Sequence, residues 1–434
     1  WPTSLRQIEL SHGFKQPIER ARWPSSLEIL TFGDTFNQRI EGMKWPASLQ
    51  QLSFGRPTFG RAFNRSIADV TWPPSLIHLR FEGSSCLNQP IQDVRWPASL
   101  RSLMFGQRFN QGVAGVSWPA ALRQLFLGYS FNKPLNQVVW PASIQQLDVR
   151  IQFNHALDDV AWPQSLLQVT LGRDFDRPLD GVAWPSSSEK LSLGRRTGPD
   201  KKSFNQPLHG IGRWIPSLIE LIKLSHGFKQ PIERARWPSS LEILTFGDAF
   251  NQRIEGMKWP ASLRQLSFGR WSSSFNQPIQ DVRWPASLRS LTFGQRFNQD
   301  VAGASWPAVL RQPSLGYSFN KPLSQVVWPA SFQQLDVGIH FNHALDDVAW
   351  PQSLLQITLG RDFDRPLDGV AWPSSLQKLS FGGGAGPNDK TFNQPLHGIG
   401  RWIPSLIELV LLFSRQQYDH TLVGVDWPAR LQKL

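Results

Sequence analysis

The sequence is poor in cysteine, tyrosine and methionine, with only Cys86, three Tyr and three Met among 434 residues. A single cysteine excludes a disulfide framework within the chain, so its stability must come from packing. It also favours an intracellular compartment without requiring one, since solenoids outside the cell can lack disulfides too. No apolar run reaches the roughly 18 residues that a membrane span needs. No signal or transit segment is recognisable, so the localisation stays open.

The chain also lacks the motifs of common enzymes. It contains no G-x-S-x-G, no P-loop, no H-E-x-x-H and no cysteine–histidine pair. His340 and His343, with the neighbouring Asp346 and Asp347, form the single cluster with metal-ligand chemistry, but the matching copy has Gln152 in place of His340. We therefore expect a non-enzymatic protein with no metal and no cofactor.

Tryptophan and proline are abundant, with 20 and 34 residues, because both belong to a repeat. The repeat is W-P-x-S-L-x-x-L-x-[FL]-G-x-x-F-N-Q-P-[IL]-x-x-V-x, and it returns every ~22 residues, as in Trp118–Val139. A unit this short cannot bury its own apolar face, so neighbouring units must complete one core. The proline that follows most Trp residues, as in Trp118-Pro119, and the Gln-Pro step exclude a helical return path.

Each repeated position has a physical role. The L-x-x-L-x-F segment, as in Leu49, Leu52 and Phe54, predicts a short half-buried strand, and the Gly after it predicts a corner with positive φ. We expect the Trp side chains to stack between coils and the Asn side chains to bond the backbone of the adjacent coil. Asp176 and Asp364 replace Asn in two coils, where we expect an altered ladder. The predicted ladder residues are Trp96, Trp118, Trp140, Trp162, Asn110, Asn132, Asn298 and Asn320.

The pattern predicts a mainly β protein, a parallel β-solenoid of about nineteen coils with little or no α-helix. Phe204-Asn205-Gln206-Pro207 and Phe275-Asn276-Gln277-Pro278, with the preceding P-x-S-L-x-x-L, resemble FNIP repeats, relatives of leucine-rich repeats. The departure is Trp before Pro, where many FNIP units carry Leu or Ile. The resemblance covers nearly the whole chain and implies a protein-interaction repeat.

A longer duplication encloses the short one. Residues 88–223 correspond to 276–411, with Trp96 matching Trp284, and residues 11–55 correspond to 225–269. We therefore expect one continuous solenoid over residues 1–434. The abrupt start and stop of the repeat predict a fragment of a longer chain, with terminal caps or fused domains outside it.

The two copies differ at outward positions, including the pairs Met104/Thr292, Phe126/Ser314 and Arg150/Gly338. Leu125/Pro313 should disturb its strand. Insertions between the Gly corner and Phe-Asn should emerge at one edge, either as a binding edge or as tolerated loop growth. The candidate interaction residues are Arg80, Arg101, Met104, Arg123, Phe126, Arg195, Arg196, Lys201, Lys202, Arg289, Arg311 and Lys390.

The function that this repeat favours is a binding or assembly scaffold for protein partners. One alternative is a structural spacer or stacking subunit of a larger complex. A second alternative, binding of nucleic acid or acidic polysaccharide, rests on the net charge of +12. An outward row of Ser and Thr is reminiscent of ice-binding surfaces, but Arg80, Met104 and Phe126 interrupt it.

Overall fold

The computed structural model describes residues 2–55, 63–81, 87–194, 204–222, 224, 227–269, 273–382, 392–411 and 418–434. The chain forms two compact units: unit 1 holds residues 1–206 and 210–225, and unit 2 holds residues 207–209 and 226–434. In both units the chain winds through short coils, nearly all of which contribute one strand among the described residues.

The described part of unit 1 contains ten strands and one short helix, and each strand pairs in parallel with the next. The strands are β1 (Gln7–Glu9), β2 (Ile29–Phe32), β3 (Gln51–Phe54), β4 (His78–Phe81), β5 (Ser102–Met104), β6 (Gln124–Leu127), β7 (Gln146–Val149), β8 (Gln168–Leu171), β9 (Lys190–Leu193) and β10 (Glu220–Ile222). Helix α1 spans Ile211–Trp214.

Unit 2 repeats this arrangement, with eight parallel strands among the residues that the structure describes there. They are β11 (Ile243–Thr245), β12 (Gln265–Ser267), β13 (Ser290–Thr292), β14 (Gln312–Ser314), β15 (Gln334–Asp336), β16 (Gln356–Leu359), β17 (Lys378–Phe381) and β18 (Glu408–Leu411), with helix α2 at Ile399–Trp402. The predicted parallel β-solenoid with almost no helix is confirmed. The predicted count of about nineteen coils is slightly high, since the described residues hold eighteen strands and the coil after β18 adds only the bridge Glu408–Lys433.

The core lies between the strands and the returning Phe side chains. Leu49, Leu52 and Phe54 are fully buried, and β3 alternates between half-exposed and buried positions, as period two requires. The Phe of the Phe-Asn step stacks on its counterparts in neighbouring coils. Phe109, Phe131 and Phe153 lie 6.2 Å apart, centroid to centroid, with nearly parallel rings. Because each ring touches the one before and the one after, adjacent coils hold each other in register.

The glycine corner serves two different needs. Gly55 has a φ of 89°, the positive value that the sequence predicted. Gly128 does not have a positive φ, and there a Cβ atom would collide with the carbonyl oxygen of Gly106 in the preceding coil. In such coils glycine is required by the close approach of two backbones, so the positive-φ explanation is wrong for them.

Proline in β14 shortens one pairing, as expected. Strand β14 pairs with β15 only at Ser314 and Asp336, whereas β6 and β7 in unit 1 pair at four positions. Leu315 N–H donates to Asp336 O. In a parallel ladder alternate N–H groups face the same neighbour, so the group missing at Pro313 is the one that would reach Gln334 O.

Candidate interaction surface

The exposed side of each sheet is formed by the residue before each strand and by the first and third strand residues. We call this side the strand face. On it, Arg80, Met104 and Phe126 occupy the same position of β4, β5 and β6 and are direct neighbours across the sheet. Arg101 and Arg123 precede β5 and β6 and are linked by a backbone hydrogen bond of 2.9 Å. These five predicted residues therefore form one continuous group, here called the unit 1 patch.

The unit 1 patch combines positive charge with apolar area. Arg101 and Arg123 are exposed, and Met104 and Phe126 are half-buried beside them. His78 lies at the border, and burial, followed by the charges of Arg80 and Arg101, lowers the pKa of its imidazole below the usual value. The neutral histidine adds no charge near pH 7, so arginine alone makes the patch positive.

In unit 2 the predicted interaction residues Arg289 and Arg311 belong, with Arg264, to a row of arginines that we call the arginine column. Arg264, Arg289 and Arg311 precede β12, β13 and β14, are exposed, and join through backbone hydrogen bonds of 2.9 Å. Arg264 lies 3.5 Å from Glu242, whereas Arg289 and Arg311 have no acidic partner within the described residues. The outward position of these strands carries Ser or Thr, so the two copies expose different surfaces on the same scaffold.

The predicted ladder residues lie at regular steps between coils. Asn132 N–H donates to Asn110 Oδ1 at 2.9 Å, and Asn320 N–H donates to Asn298 Oδ1 at the same distance. Trp96 and Trp118 stack with centroids 6.4 Å apart, and Trp140 and Trp162 stack at 6.2 Å. These Asn and Trp residues lie outside the strands, so they are not part of the strand face.

Several predicted interaction residues lie outside the described residues. They are Arg195, Arg196, Lys201, Lys202 and Lys390. The predicted insertion edge lies outside them too, apart from Ser273 and Ser274.

The sequence analysis missed a cluster at the end of β7. Arg150 Nε donates to Asp148 Oδ2 at 3.2 Å, and Arg150 Nη1 donates to Tyr129 Oη at 3.0 Å. The guanidinium carbon lies 5.0 Å from the Tyr129 ring centroid and 5.8 Å from that of Phe126. Arg150 therefore covers the surface between Tyr129, in the corner that follows β6, and Asp148, in β7. The sequence signal was the Arg150/Gly338 difference, which falls beside the Phe126/Ser314 difference.

The same place in unit 2 is a groove of about 560 Å³. Ser314, Asp336 and Gly338 line it, where unit 1 carries Phe126, Asp148 and Arg150. Tyr317, the counterpart of Tyr129, forms part of the wall. We call this the unit 2 groove.

The histidine cluster is divided between separate contacts. His340 Nδ1 lies 2.7 Å from Asp362 Oδ2, and His343 Nε2 lies 3.1 Å from the carbonyl oxygen of Asn320. Among the described residues, no group of three or more His, Cys, Asp or Glu is arranged to hold a metal ion. Within the same residues, neither short helix has the length and apolar character needed to cross a membrane.

Comparison with known proteins gives matches at two levels. The family model for the FNIP repeat matches residues 14–56, 236–270 and 341–384. Among solved structures, CroV588, a novel circular LRR protein, is similar with 30% identity and a TM-score of 0.74, over 94% of this chain and 59% of that one. This chain therefore spans less than two thirds of the length of CroV588. No curated protein matches the sequence.

More distant structures share the fold alone. TLR13, solved in a complex with ssRNA13, matches with 13% identity and a TM-score of 0.60, over 94% of this chain and 62% of that one. Mouse RP105, solved in a complex with MD-1, matches with 13% identity and a TM-score of 0.56, over 95% and 72%.

Proposed function

We propose, from the premise that this chain is an FNIP-repeat protein with a leucine-rich-repeat-like fold, that it is a non-enzymatic scaffold whose strand face binds protein partners. Stacked short repeats present an extended surface whose side chains can vary while the core is kept. Here the core residues recur in most coils, whereas the strand face changes from coil to coil and between the two copies.

The observation that carries the proposal is the unit 1 patch. Arginine and large apolar side chains are enriched at protein interfaces because they combine contact area with hydrogen bonding. Arg101, Arg123, Met104 and Phe126 bring both kinds together across two neighbouring strands. An enzyme would need a convergent set of reactive groups, and the patch offers none.

The test compares proteins that co-purify with the full chain from an extract of its source organism. The strand-face variant is Arg101→Ser, Arg123→Ser and Phe126→Ser. The control is Lys44→Ser, Arg95→Ser and Val139→Ser, which removes the same number of cations and apolar side chains, two and one, here all from exposed positions. We expect quantitative mass spectrometry to find partners with wild type and control that fall about tenfold or more with the strand-face variant.

Equal recovery by both variants would contradict a strand-face interface. Recovery of nothing but the chain itself would instead support the alternative of a stacking subunit. Loss of all partners on nuclease treatment would support binding of nucleic acid.

A further inference from the structure

The unit 2 groove and the Arg150 cluster are two versions of one place in the repeat. Asp148 corresponds to Asp336 and Tyr129 to Tyr317, so the carboxylate and the phenol are kept. Three neighbours differ: Met104, Phe126 and Arg150 in unit 1 are Thr292, Ser314 and Gly338 in unit 2. Each difference replaces a large side chain with a small one, so unit 2 keeps the hydrogen-bonding groups and loses the side chains that cover them.

Unit 1 shows what these groups hold. There Asp148 and Tyr129 both accept hydrogen bonds from the Arg150 guanidinium, which also lies against two aromatic rings. Asp148 is only 13% exposed under this cover. A guanidinium presents its N–H donors as a planar fork, and this arrangement of one carboxylate, one phenol and ring faces matches that shape.

In unit 2 the corresponding carboxylate is uncovered. Asp336 is exposed, and within the described residues it accepts a single hydrogen bond, from Gly338 N–H to Oδ1 at 3.1 Å. None of the described residues donates a hydrogen bond to its second oxygen, Oδ2. The groove beside it is large enough to hold a side chain.

The charges around the groove favour a cation. Arg361 lines the groove, but its Nε lies 3.3 Å from Asp362 Oδ1, and His340 shares the same carboxylate. Arg311 precedes Ser314 by three residues, about 10 Å along an extended strand, where screening by salt weakens its effect. Asp336 is therefore the carboxylate in the groove that remains without a basic partner among the described residues.

We propose that the unit 2 groove binds an arginine side chain of a partner protein, with its guanidinium in the place that Arg150 fills in unit 1. This inference rests on the proposed function, because it names the partner group that the strand face would recognise. Lysine is a poorer occupant, since its ammonium has no planar fork and stacks less well on Tyr317. An anion is disfavoured by Asp336.

The test uses the full chain and the peptide acetyl-Gly-Arg-Gly-amide, with acetyl-Gly-Lys-Gly-amide for comparison, followed by NMR of the backbone amides. We expect the arginine peptide to shift the signals of Ser314, Asp336 and Gly338 in a saturable manner, and the lysine peptide to bind about tenfold or more weakly. Equal binding of the two peptides would overturn the inference.

One variant removes the site, and a matched one leaves it intact. Asp336→Asn removes the charge, and we expect it to weaken arginine binding about tenfold or more. Asp148→Asn makes the same chemical change in unit 1, where Arg150 occupies the site, and should leave the peptide affinity unchanged. Gly338→Arg is unsuitable, because φ is 80° at this residue and a Cβ atom would collide with Gly316 O.

The reciprocal variant opens the filled copy. Phe126→Ser combined with Arg150→Ala should expose Asp148 and raise the number of arginine-peptide sites from one to two. If unit 1 gains no site although Asp148 becomes accessible, the carboxylate and phenol are not sufficient and the inference fails. The proposed function is tested separately by the strand-face variant. If that variant loses partners but the arginine peptide does not bind, the scaffold function is supported and only the arginine site is overturned.

Discussion

At the scale of single residues, the asparagine spine depends on one atom. Each Asn offers its side-chain oxygen to the backbone N–H one coil further on, and Asp continues the ladder: Asn205 N–H donates to Asp176 Oδ1 at 2.9 Å. Asn393 N–H does the same to Asp364 Oδ1. The expected alteration at these two coils does not occur, because the ladder needs an acceptor and Asp supplies the same one.

This leads to a prediction at Asn132, whose Oδ1 accepts Asn154 N–H at 3.1 Å. Asn132→Ala should cost about 1 kcal/mol and speed exchange of the Asn154 amide about fivefold, since that N–H loses its partner. Asn132→Asp should leave both nearly unchanged. Hydrogen exchange by NMR checks this, and equal effects of Ala and Asp would show that the side-chain oxygen is not the stabilising group.

A second spine was not anticipated from the sequence. The Ser of P-x-S-L donates its hydroxyl to the carbonyl of the preceding coil, as Ser48 Oγ does to Leu27 O and Ser143 Oγ does to Leu122 O, both at 2.7 Å. The regular recurrence of this Ser along the sequence was the signal from which the spine could have been predicted. Serine is also common in turns, so recurrence alone does not assign a partner one coil away.

At the scale of the strand, the two copies provide an internal comparison. Leu125 and Pro313 occupy the same position, and β14 has lost most of its pairing with β15. The proline ring is buried, so the difference lies in the missing donor rather than in packing.

Pro313→Leu should restore the donor to Gln334 O and extend the β14–β15 pairing. We expect slower amide exchange in β15 and a gain of about 1 kcal/mol, partly offset because leucine gives the unfolded chain more freedom. The reciprocal Leu125→Pro should speed exchange in β7. Unchanged exchange in β15 after Pro313→Leu would show that the corner residues, and not the proline, limit the pairing.

At the scale of the whole molecule, the net charge of +12 is spread over a repeat in which many cations already have acidic neighbours. Arg289 and Arg311 are exposed members of the arginine column without such a neighbour in the described residues. A polyanion can therefore contact these two cations without breaking an existing ion pair.

We therefore make a prediction for the affinity of the full chain for duplex DNA, measured at several salt concentrations. Arg289→Gln with Arg311→Gln should reduce the slope of log affinity against log salt by about two, because each phosphate contact releases counterions. Lys258→Gln with Arg283→Gln makes the same charge change next to the Trp positions. Equal reductions in both variants would mean that overall charge, and not the arginine column, carries the binding.

Much of this architecture was determined by the sequence. Period-two alternation in L-x-x-L-x-F and the regular return of Trp-Pro and Phe-Asn predicted parallel coils, because only stacked neighbours can bury such short apolar groups. The FNIP signature at Phe204–Pro207 and Phe275–Pro278 pointed to the same fold. The strand face was foreseen as well, since outward positions follow directly from the alternation.

The tertiary structure decided which residues meet across coils. Arg150, Asp148 and Tyr129 are separated in sequence by up to about one repeat, and no local pattern says that a guanidinium from one corner covers the next. The same holds for the glycine corners, where Gly106 O approaches Gly128. Repeat periodicity fixes which positions face outward, but contacts between coils depend on the distances between corners, and these exist only once the coils are stacked.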